Sequence, residues 1–506
     1  MIVTLTLSFF LQFIYIFLIN FCLGFYLITA LQWYSYKLNR VFFHFSKPLW
    51  HVYFLLLPFL ALLFLPSYFY LGFLFLIQAP MLFFWHKRLD KKLVFTTKVK
   101  VFFAFLLFFS LVFSACKFIA IPPYFLISIA LLLNDDLKFY LLTIFISLFS
   151  PLPLIFSLIF LKIYSILANI FYIKKARKKL SNLKDLTIIL ITASFGKTSI
   201  KNFLYELLKE DFKVHKTPRS VNTLLGITAD INENLDESTQ IYIAEAGARQ
   251  KGDILEITEL LNPQLCIVGE IGEAHLEYFK SKEAIRQTKL EALQTNRLKK
   301  AFLHSSTKMN ETEQILIYDK ALKSVHSSLE GLSFKLQIHE QEFEFKANLL
   351  GSFNAQNLCA CILVANFLGI SLEKLQNYTQ KIKPVEHRLQ IISKEPKLII
   401  DDGFNGNFNG MSESYKLCKT YKGRRVLVSP GIIEVNEEQN IKLCELINEC
   451  FDLAIITASV NLAVFKKYLH IEKIIVENKE TLVDILAQHT KNGDLILFSN
   501  DAPTFM

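Results

Sequence analysis

Four apolar stretches in the first third of the chain are too long and too hydrophobic for the core of a soluble domain. They cover residues 3–31, 52–85, 101–134 and 138–172. A bilayer crossing takes about 20 apolar residues, so the first stretch is long enough to be one span. It has no basic segment before it and no small-residue cleavage site after it, and we therefore expect it to be retained.

The other three stretches are interrupted by prolines, namely Pro66, Pro122, Pro123, Pro151 and Pro153. Proline ends or kinks a helix, so each stretch is either a hairpin or one bent helix. Basic residues flank 52–85 at both ends, which favours two short crossings that meet near Pro66. We expect a transmembrane helical region at 1–173 with about five to seven spans. Few ionisable groups lie within the spans, which favours an anchor over a transporter.

The net charge of +10 is concentrated in two clusters beside apolar stretches. The clusters are Lys87, Arg88, Lys91, Lys92, Lys98 and Lys100, and then Lys174, Lys175, Arg177, Lys178, Lys179 and Lys184. Basic loops next to spans are typical of the cytoplasmic side of a membrane. The charge therefore predicts contact with anionic membrane lipids, and the absence of a recognition motif argues against nucleic acid. The part after the spans should lie in the cytoplasm.

The eight cysteines are scattered, and Cys359 and Cys361 form the only close pair. This spacing is a poor zinc signal. We expect buried thiols in a reducing compartment.

After Lys184 the apolar runs shorten to strand length and alternate with helical patterns, which is typical of a mostly parallel α/β sheet. A central domain is expected at 185–380, with strands near 187–193, 241–246, 264–271 and 300–304. Residues 332–347 alternate like a hairpin, and 354–368 form an apolar helix. A smaller, doubly wound domain is expected at 381–506, with strands near 397–402, 425–428, 453–457, 473–476 and 494–498.

A phosphate-binding loop is predicted where the first of these strands ends. Ala193-Ser194-Phe-Gly196-Lys197-Thr198 follows the strand, and a helix begins directly after it. Backbone N–H groups at a helix N-terminus bind phosphates, the lysine neutralises their charge, and the threonine hydroxyl is a ligand for Mg²⁺. The common longer pattern is not met, because Ile191 stands where its first glycine belongs.

The loop and the segments after it resemble, in order, the motifs of the ATP-dependent Mur ligases of cell-wall synthesis. The loop is similar to T-G-x-x-G-K-(S/T), with Ala193 in place of the first glycine. The other matches are Ser220 to Gly226, Glu245 to Ala248, Gly272 to Leu276, Thr288 to Glu291, Gly351 to Asn357 with Phe353 in a histidine position, Glu386 to Arg388, Asp401 to Asn407, and Gly493 to Phe498. The resemblance covers about 187–498. It is strongest to the branch that adds D-alanyl-D-alanine.

The resemblance implies a fold and a set of site residues. After the membrane region we expect a P-loop-type central ATPase domain and a smaller Rossmann-like domain. ATP-binding residues would be Ser194, Gly196, Lys197, Thr198, Asn354, Arg388 and Asp402. Metal ligands would be Thr198, Glu245, His275 and Lys289 as a carbamate, and Lys197, Lys289 and His275 would be catalytic. Substrate contacts would be Asn222, Thr223, Asn405 and Asn407.

Simpler structural roles exist for some of these residues. Asn222, Thr223 and Asn354 are also suited to capping the helices that follow them. His387 is interpreted as structural.

The resemblance also implies the reaction. ATP, two Mg²⁺ and CO₂ (as the lysine carbamate) would serve an amide-forming ligase that adds D-alanyl-D-alanine to UDP-N-acetylmuramoyl-tripeptide at a bacterial inner membrane. Other cell-wall enzymes are possible partners. The alternatives are a Mur-type ligase for a lipid-linked or another carboxylate substrate, and a non-catalytic nucleotide-binding scaffold.

One feature departs from the family, since membrane segments stand where its members bind the UDP group. Cytoplasmic loops such as 86–100 would then contact the UDP group, or the substrate is lipid-linked, or it is not a muramoyl peptide.

Overall fold

The computed structural model describes residues 2–500 except 35, 37, 44–48, 66, 90, 121–148, 273–278, 280, 405, 434–436, 458–459 and 477. The chain divides into two compact units, Met1–Phe171 and Tyr172–Met506.

The first unit is helical in the part that the structure describes. Its helices are α1 (Ile2–Trp33), α2 (Leu38–Phe43), α3 (Leu49–His51), α4 (Leu57–Phe64), α5 (Ser67–Phe73), α6 (Ala79–Lys87) and α7 (Thr97–Ala120), and α8 (Leu152–Asn182) begins in it. Two π-helical segments, Val52–Leu56 and Leu74–Gln78, make α3 to α4 and α5 to α6 continuous. Helix α4 ends at Phe64, where Leu65 is extended, and α5 begins at Ser67; the hairpin predicted near Pro66 stays a prediction.

Four described helical segments are long and apolar enough to cross a membrane, namely Phe13–Trp33, Phe69–Lys87, Thr97–Ala115 and Leu152–Asn182. Leu49–Phe64 is a shorter apolar helix. The predicted breaks at Pro122 and Pro123 lie outside the described residues, so the number of spans stays a prediction. The expected break near Pro151 and Pro153 agrees with the structure, because Ser150 and Pro151 form a turn and α8 begins at Leu152. Pro153 lies in the first turn of α8, where its missing N–H has no helical partner to lose.

The central sheet of the second unit has six parallel strands in the order β2-β3-β1-β4-β5-β6. The strands are β1 (Thr187–Thr192), β2 (Val214–Lys216), β3 (Ile241–Glu245), β4 (Leu265–Val268), β5 (Lys300–Leu303) and β6 (Ile315–Ile317). The connecting helices are α9 (Lys197–Leu208), α10 (Leu224–Asn234), α11 (Asp253–Leu261) and α12 (Lys282–Leu290). This is the α/β architecture that the sequence predicts, and it brings the ends of β1 and β3 side by side.

A three-stranded antiparallel sheet and two helices complete the central domain. They are β7 (Leu322–Ser328), β8 (Gly331–Ile338), β9 (Gln341–Ala347), α13 (Phe353–Phe367) and α14 (Leu372–Lys381). The predicted hairpin is confirmed as β8 and β9. Strands β2, β6 and β7 were not predicted. The residues of β7 are mostly exposed and lack an apolar alternation.

The C-terminal sheet has the order β10-β11-β15-β12-β13-β14. Its elements are β10 (Gln390–Ser393), β11 (Leu398–Asp402), α15 (Phe408–Lys419), β12 (Arg425–Ser429), α16 (Glu437–Cys450), β13 (Leu453–Ile456), α17 (Leu462–Tyr468), β14 (Glu472–Ile475), α18 (Leu482–His489) and β15 (Leu495–Ser499). Five strands are the predicted ones. The sixth, β10, pairs antiparallel with β11 and was not predicted.

The side chains of seven of the eight cysteines are described, and all seven are buried and free. The prediction of buried thiols holds for them.

Candidate active site

The loop between β1 and α9 has the geometry of a phosphate-binding loop. Gly196 adopts φ +77° at the start of α9, a conformation that L residues with a side chain rarely adopt. A Cβ on Gly196 would also lie 2.6 Å from Asn357 Oδ1. Both the backbone conformation and the available space therefore require glycine here. Without a side chain at this position, the backbone can approach a bound phosphate closely.

Ala193, which replaces a family glycine, fits without strain because it does not adopt a positive φ. It is fully buried, and it faces Gly269, where a Cβ would come within 2.8 Å of the Ala193 methyl. Ser194 ties the loop to the segment after β4, since its N–H donates to Glu270 O at 2.8 Å and its hydroxyl to Gly272 O at 3.1 Å.

Lys197 turns back over the loop. Its Nζ donates to Ala193 O at 2.8 Å and to Ser194 O at 3.2 Å. Burial lowers the pKa of Lys197, and Arg388 lowers it further while Glu245 raises it. The lysine is therefore held where phosphate oxygens would meet it, close to both Glu245 and Arg388.

A polar cluster lies where the start of α9 meets the end of β3. It consists of Thr198, Lys201 and Glu245. The Thr198 hydroxyl lies 3.2 Å from both carboxylate oxygens of Glu245. Lys201 Nζ lies 2.9 Å from Glu245 Oε2, and both side chains are at most 3% exposed. Hydroxyl and carboxylate oxygens are the donors that Mg²⁺ prefers, so Thr198 and Glu245 fit the metal role that the sequence predicts.

Lys289 is buried in the last turn of α12. Burial lowers its pKa to about 7, and Lys197 lowers it too, whereas Asp253, Glu291 and Glu245 act in the opposite direction. A substantial share of its amine is therefore neutral near pH 7. The neighbouring Glu291 holds the start of α11, because its carboxylate accepts N–H bonds from Gly252 and Leu255.

The first turn of α13 lies against the phosphate loop. Asn357 Nδ2 donates to Asn354 Oδ1 at 3.2 Å, and Asn354 Nδ2 donates to Leu350 O at 2.8 Å. The capping alternative for Asn354 is wrong, because the helix begins at Phe353 and Ser352 is the N-cap residue.

The C-terminal domain contributes Arg388 and Asp402. Burial lowers the pKa of Arg388, whereas Asp402 and Glu245 raise it, which places the guanidinium near carboxylates of both domains. Its Nη1 donates to Phe404 O at 2.5 Å. Asp402 is buried and accepts an N–H bond from Leu389 at 3.1 Å.

His387 is structural, as expected. Its Nδ1 lies 2.6 Å from Asp401 Oδ2, and its ring packs edge-on against Phe404 at 4.7 Å.

Three of the four predicted substrate residues lie in the part of the chain that the structure describes. Asn222 lies beside the polar cluster. Its side chain would be 3.0 Å from a Cβ on Gly247, and its backbone carbonyl accepts the N–H of Gly247. Thr223 and Asn407 cap helices, because their side chains accept N–H bonds from Gly226 and Gly410. Asn405 and His275 lie outside the residues that the structure describes.

No group of three or more His, Cys, Asp or Glu side chains arranged for a metal ion occurs among the described residues. A second metal ligand set therefore depends on His275 and on modified Lys289, and both stay predictions.

Three residues at or near the site were not predicted, namely Lys201, Arg219 and Glu413. Lys201 lies about one turn after Lys197 on α9, but its partner Glu245 belongs to β3, so no local pattern indicates that Lys201 is buried. Arg219 pairs with Glu386 at 3.0 Å and covers Phe404 at 5.1 Å. Glu413 accepts N–H bonds from Ser352 and Phe353.

Comparison with known proteins gives a consistent result. Residues 191–365 match the Mur ligase middle domain. The chain is 28% identical over 337 residues to UDP-N-acetylmuramoyl-tripeptide–D-alanyl-D-alanine ligase of Bacillus subtilis, covering 62% of this chain and 72% of that protein. It is 27% identical over 300 residues to the ligase of the same name from Buchnera aphidicola, covering 55% of this chain and 65% of that one.

The fold is also found in a solved structure. The MurF ligase of Thermotoga maritima in complex with ADP superposes with a TM-score of 0.59, at 23% identity, over 66% of this chain and 80% of that one. The ordered motifs, the assembled phosphate loop and these relatives together support a Mur ligase of the MurF type, and thus an ATP-dependent ligase.

Proposed function

We propose that the chain joins D-alanyl-D-alanine to UDP-N-acetylmuramoyl-tripeptide at the expense of ATP. One observation carries the proposal, namely that the two domains contact each other at the polar site. Glu413 of the C-terminal domain accepts N–H bonds from Ser352 and Phe353 of the central domain. Arg388 of the C-terminal domain lies near enough to the central domain for Glu245 to raise the pKa of Arg388, and for Arg388 to add to the burial that lowers the pKa of Lys197. The domains therefore meet over one polar site, as a reaction with a nucleotide and two further substrates needs. The relatives' names supply the substrates.

The chemistry follows from the poor reactivity of a carboxylate towards an amine. A carboxylate oxygen of the tripeptide attacks the γ-phosphorus of ATP, and ADP leaves. The dipeptide amine then attacks the acyl carbon, loses a proton and expels phosphate together with that oxygen. Negative charge develops on the phosphoryl group, and Lys197 and Arg388 are the fixed cations that stabilise it.

Thr198 and Glu245 are the residues that would hold one Mg²⁺, which supplies positive charge to the phosphate oxygens. Glu245 is already oriented for this by the ion pair with Lys201. A second Mg²⁺ needs another oxygen anion. Lys289 would supply it as a carbamate, formed when its neutral amine adds to CO₂ and loses a proton, and His275 would be a further ligand. Asn354 and Asp402 would contact the adenosine part of ATP, and Asn222 the tripeptide.

The membrane location is part of the proposal. The four apolar helical segments anchor the enzyme in a bacterial inner membrane, with the ligase domains in the cytoplasm. Basic residues after the spans, such as Lys174 and Lys175, contact anionic lipids. Such an anchor brings the product to the membrane surface and to other cell-wall enzymes that act there.

A second candidate is a ligase for a lipid-linked carboxylate substrate. The observation that favours it is that four helical segments ahead of β1 are long and apolar enough to cross a membrane, while the match to the Bacillus subtilis ligase covers 62% of this chain. A substrate held by the bilayer needs no separate UDP-binding domain.

The test is a substrate panel with detergent-purified full-length protein. ATP, Mg²⁺ and D-alanyl-D-alanine are supplied with either UDP-muramoyl-tripeptide or the corresponding undecaprenyl-linked tripeptide, and phosphate release and product mass are followed. We expect product with the UDP substrate. Product with the lipid-linked substrate alone supports the second candidate, and no ATP turnover with either contradicts both.

A further inference from the structure

Helix α13 begins without a cap from its own residues. Its N-cap residue Ser352 has helical backbone angles and no side-chain capping bond. The free N–H groups of Ser352 and Phe353 donate instead to Oε1 of Glu413, at 3.3 Å for Phe353. Glu413 belongs to α15 of the C-terminal domain, so a carboxylate of one domain caps a helix of the other.

This interdomain cap is stronger than an ordinary surface contact. The carboxylate of the half-buried Glu413 accepts two N–H bonds at the positive end of a 15-residue helix, and charge-assisted bonds of this kind are among the strong ones. An ion pair across the same boundary, Arg219 with Glu386, has side chains that are 53% and 74% exposed. Solvent screens such a pair, and it contributes little.

The turn that Glu413 caps is the one that touches the phosphate loop. Asn354 and Asn357 follow within one turn and are hydrogen-bonded to each other. Asn357 Oδ1 occupies the space beside Gly196. A shift of this turn would therefore move the side chain that packs on the loop glycine.

The other end of the connection is the nucleotide face of the C-terminal domain. Helix α15 carries Glu413 in its first half and follows the loop after Asp402. Arg388 binds this loop, because its Nη1 donates to Phe404 O. We propose that Glu413 is a positioning residue that fixes the phosphate loop of the central domain relative to Asp402 and Arg388, so that both domains bind one nucleotide. The inference rests on the proposed function only in taking ATP as the shared ligand.

The experiment measures nucleotide binding directly. Mg²⁺ and ADP are titrated into detergent-purified full-length protein carrying Glu413→Gln or Glu413→Ala, and the KM for ATP is measured separately from kcat. We expect Glu413→Ala to raise the Kd for ADP and the KM for ATP about 10-fold. The KM for D-alanyl-D-alanine should stay near the wild-type value, and loss of the cap should lower the thermal midpoint by only about 2–4 °C. Glu413→Gln keeps one acceptor oxygen and should show a smaller rise.

Glu449→Gln is the matched control, because Glu449 pairs with Lys419 at the far end of α15 on the exposed surface. It should leave the Kd for ADP unchanged. An unchanged Kd for ADP in both Glu413 variants overturns the proposal. A rise in this Kd also overturns it if kcat, both KM values and thermal stability all worsen to the same extent. ADP binding needs no acceptor, so failure to ligate D-alanyl-D-alanine would sink the proposed function and leave this test intact.

Discussion

Lys201 Nζ lies 2.9 Å from Glu245 Oε2, and the two side chains are 2% and 3% exposed. A buried ion pair of this kind is weak evidence for stability, but removal of one partner leaves the other charge buried and uncompensated. Because Thr198 bonds the same carboxylate, the pair also orients the residue that is expected to hold Mg²⁺.

Replacement of Lys201 with methionine should therefore destabilise the second unit. We expect a loss of about 3 kcal/mol, or roughly 5–10 °C in the thermal midpoint of the detergent-solubilised protein without nucleotide. Lys209→Met removes an exposed pair with Glu206 on the same helix and should shift the midpoint by less than about 2 °C. Equal shifts in the two variants would show that the buried pair has no special role.

Gly196→Ala should abolish tight nucleotide binding. The added Cβ meets both an unfavourable φ of +77° and Asn357 Oδ1 at 2.6 Å, so the Kd for ADP should rise at least about 10-fold. Gly252→Ala is the control, since φ there is +94° with no atom within 4 Å. It carries backbone strain alone, and calorimetric titration should give the wild-type Kd for ADP.

Lys289→Ala should lower kcat at least about 100-fold, as loss of one fixed electrostatic group in an active site does. Lys282→Ala, an exposed lysine on the same helix, is expected to retain wild-type kcat. Full activity in Lys289→Ala would remove the carbamate from the account.

The reaction of Lys289 with CO₂ should depend on pH in a defined direction. Its pKa is lowered to about 7 by burial and by Lys197, and only the neutral amine attacks CO₂. Enzyme stripped of CO₂ should regain activity faster at pH 8 than at pH 6 at equal dissolved CO₂. A rate that is flat over this range, or that falls with rising pH, would contradict the assignment.

The proposed topology predicts which positions an impermeant maleimide reaches. All seven described native cysteines are buried, so the background is low. Lys91→Cys and Lys175→Cys should be labelled in inverted membrane vesicles and protected in intact spheroplasts. Ser67→Cys, at the predicted hairpin tip, should show the reverse pattern. Labelling of Lys175→Cys in intact spheroplasts would place the ligase domains outside the cytoplasm and contradict the topology.

Local sequence signals predicted the parts of the site that depend on neighbouring residues. The loop from Ala193 to Thr198 could be recognised because a buried strand and a helix flank it directly. Two roles were considered for Thr223, substrate contact and helix capping, and the structure shows the capping bond. The short strand β10 was missed, since Gln390–Ser393 is half-buried throughout and shows no alternation.

Contacts between distant segments could not be read from the sequence. Glu413 and Ser352 are 61 residues apart and lie in different domains, and nothing around Glu413 indicates a capping role. Glu245 was recognised through a motif, but its partner Lys201 resembles an ordinary helix lysine until packing buries it. Tertiary packing determines both relationships.

The fate of one oxygen atom tests the central claim most directly. UDP-muramoyl-tripeptide with both oxygens of the reacting carboxylate labelled as ¹⁸O is incubated with the enzyme, ATP, Mg²⁺ and D-alanyl-D-alanine, and phosphate and product are analysed by mass spectrometry. The account predicts one ¹⁸O in each phosphate released and one retained in the new amide. Unlabelled phosphate, which attack of water on ATP would give, or the absence of amide product would contradict it.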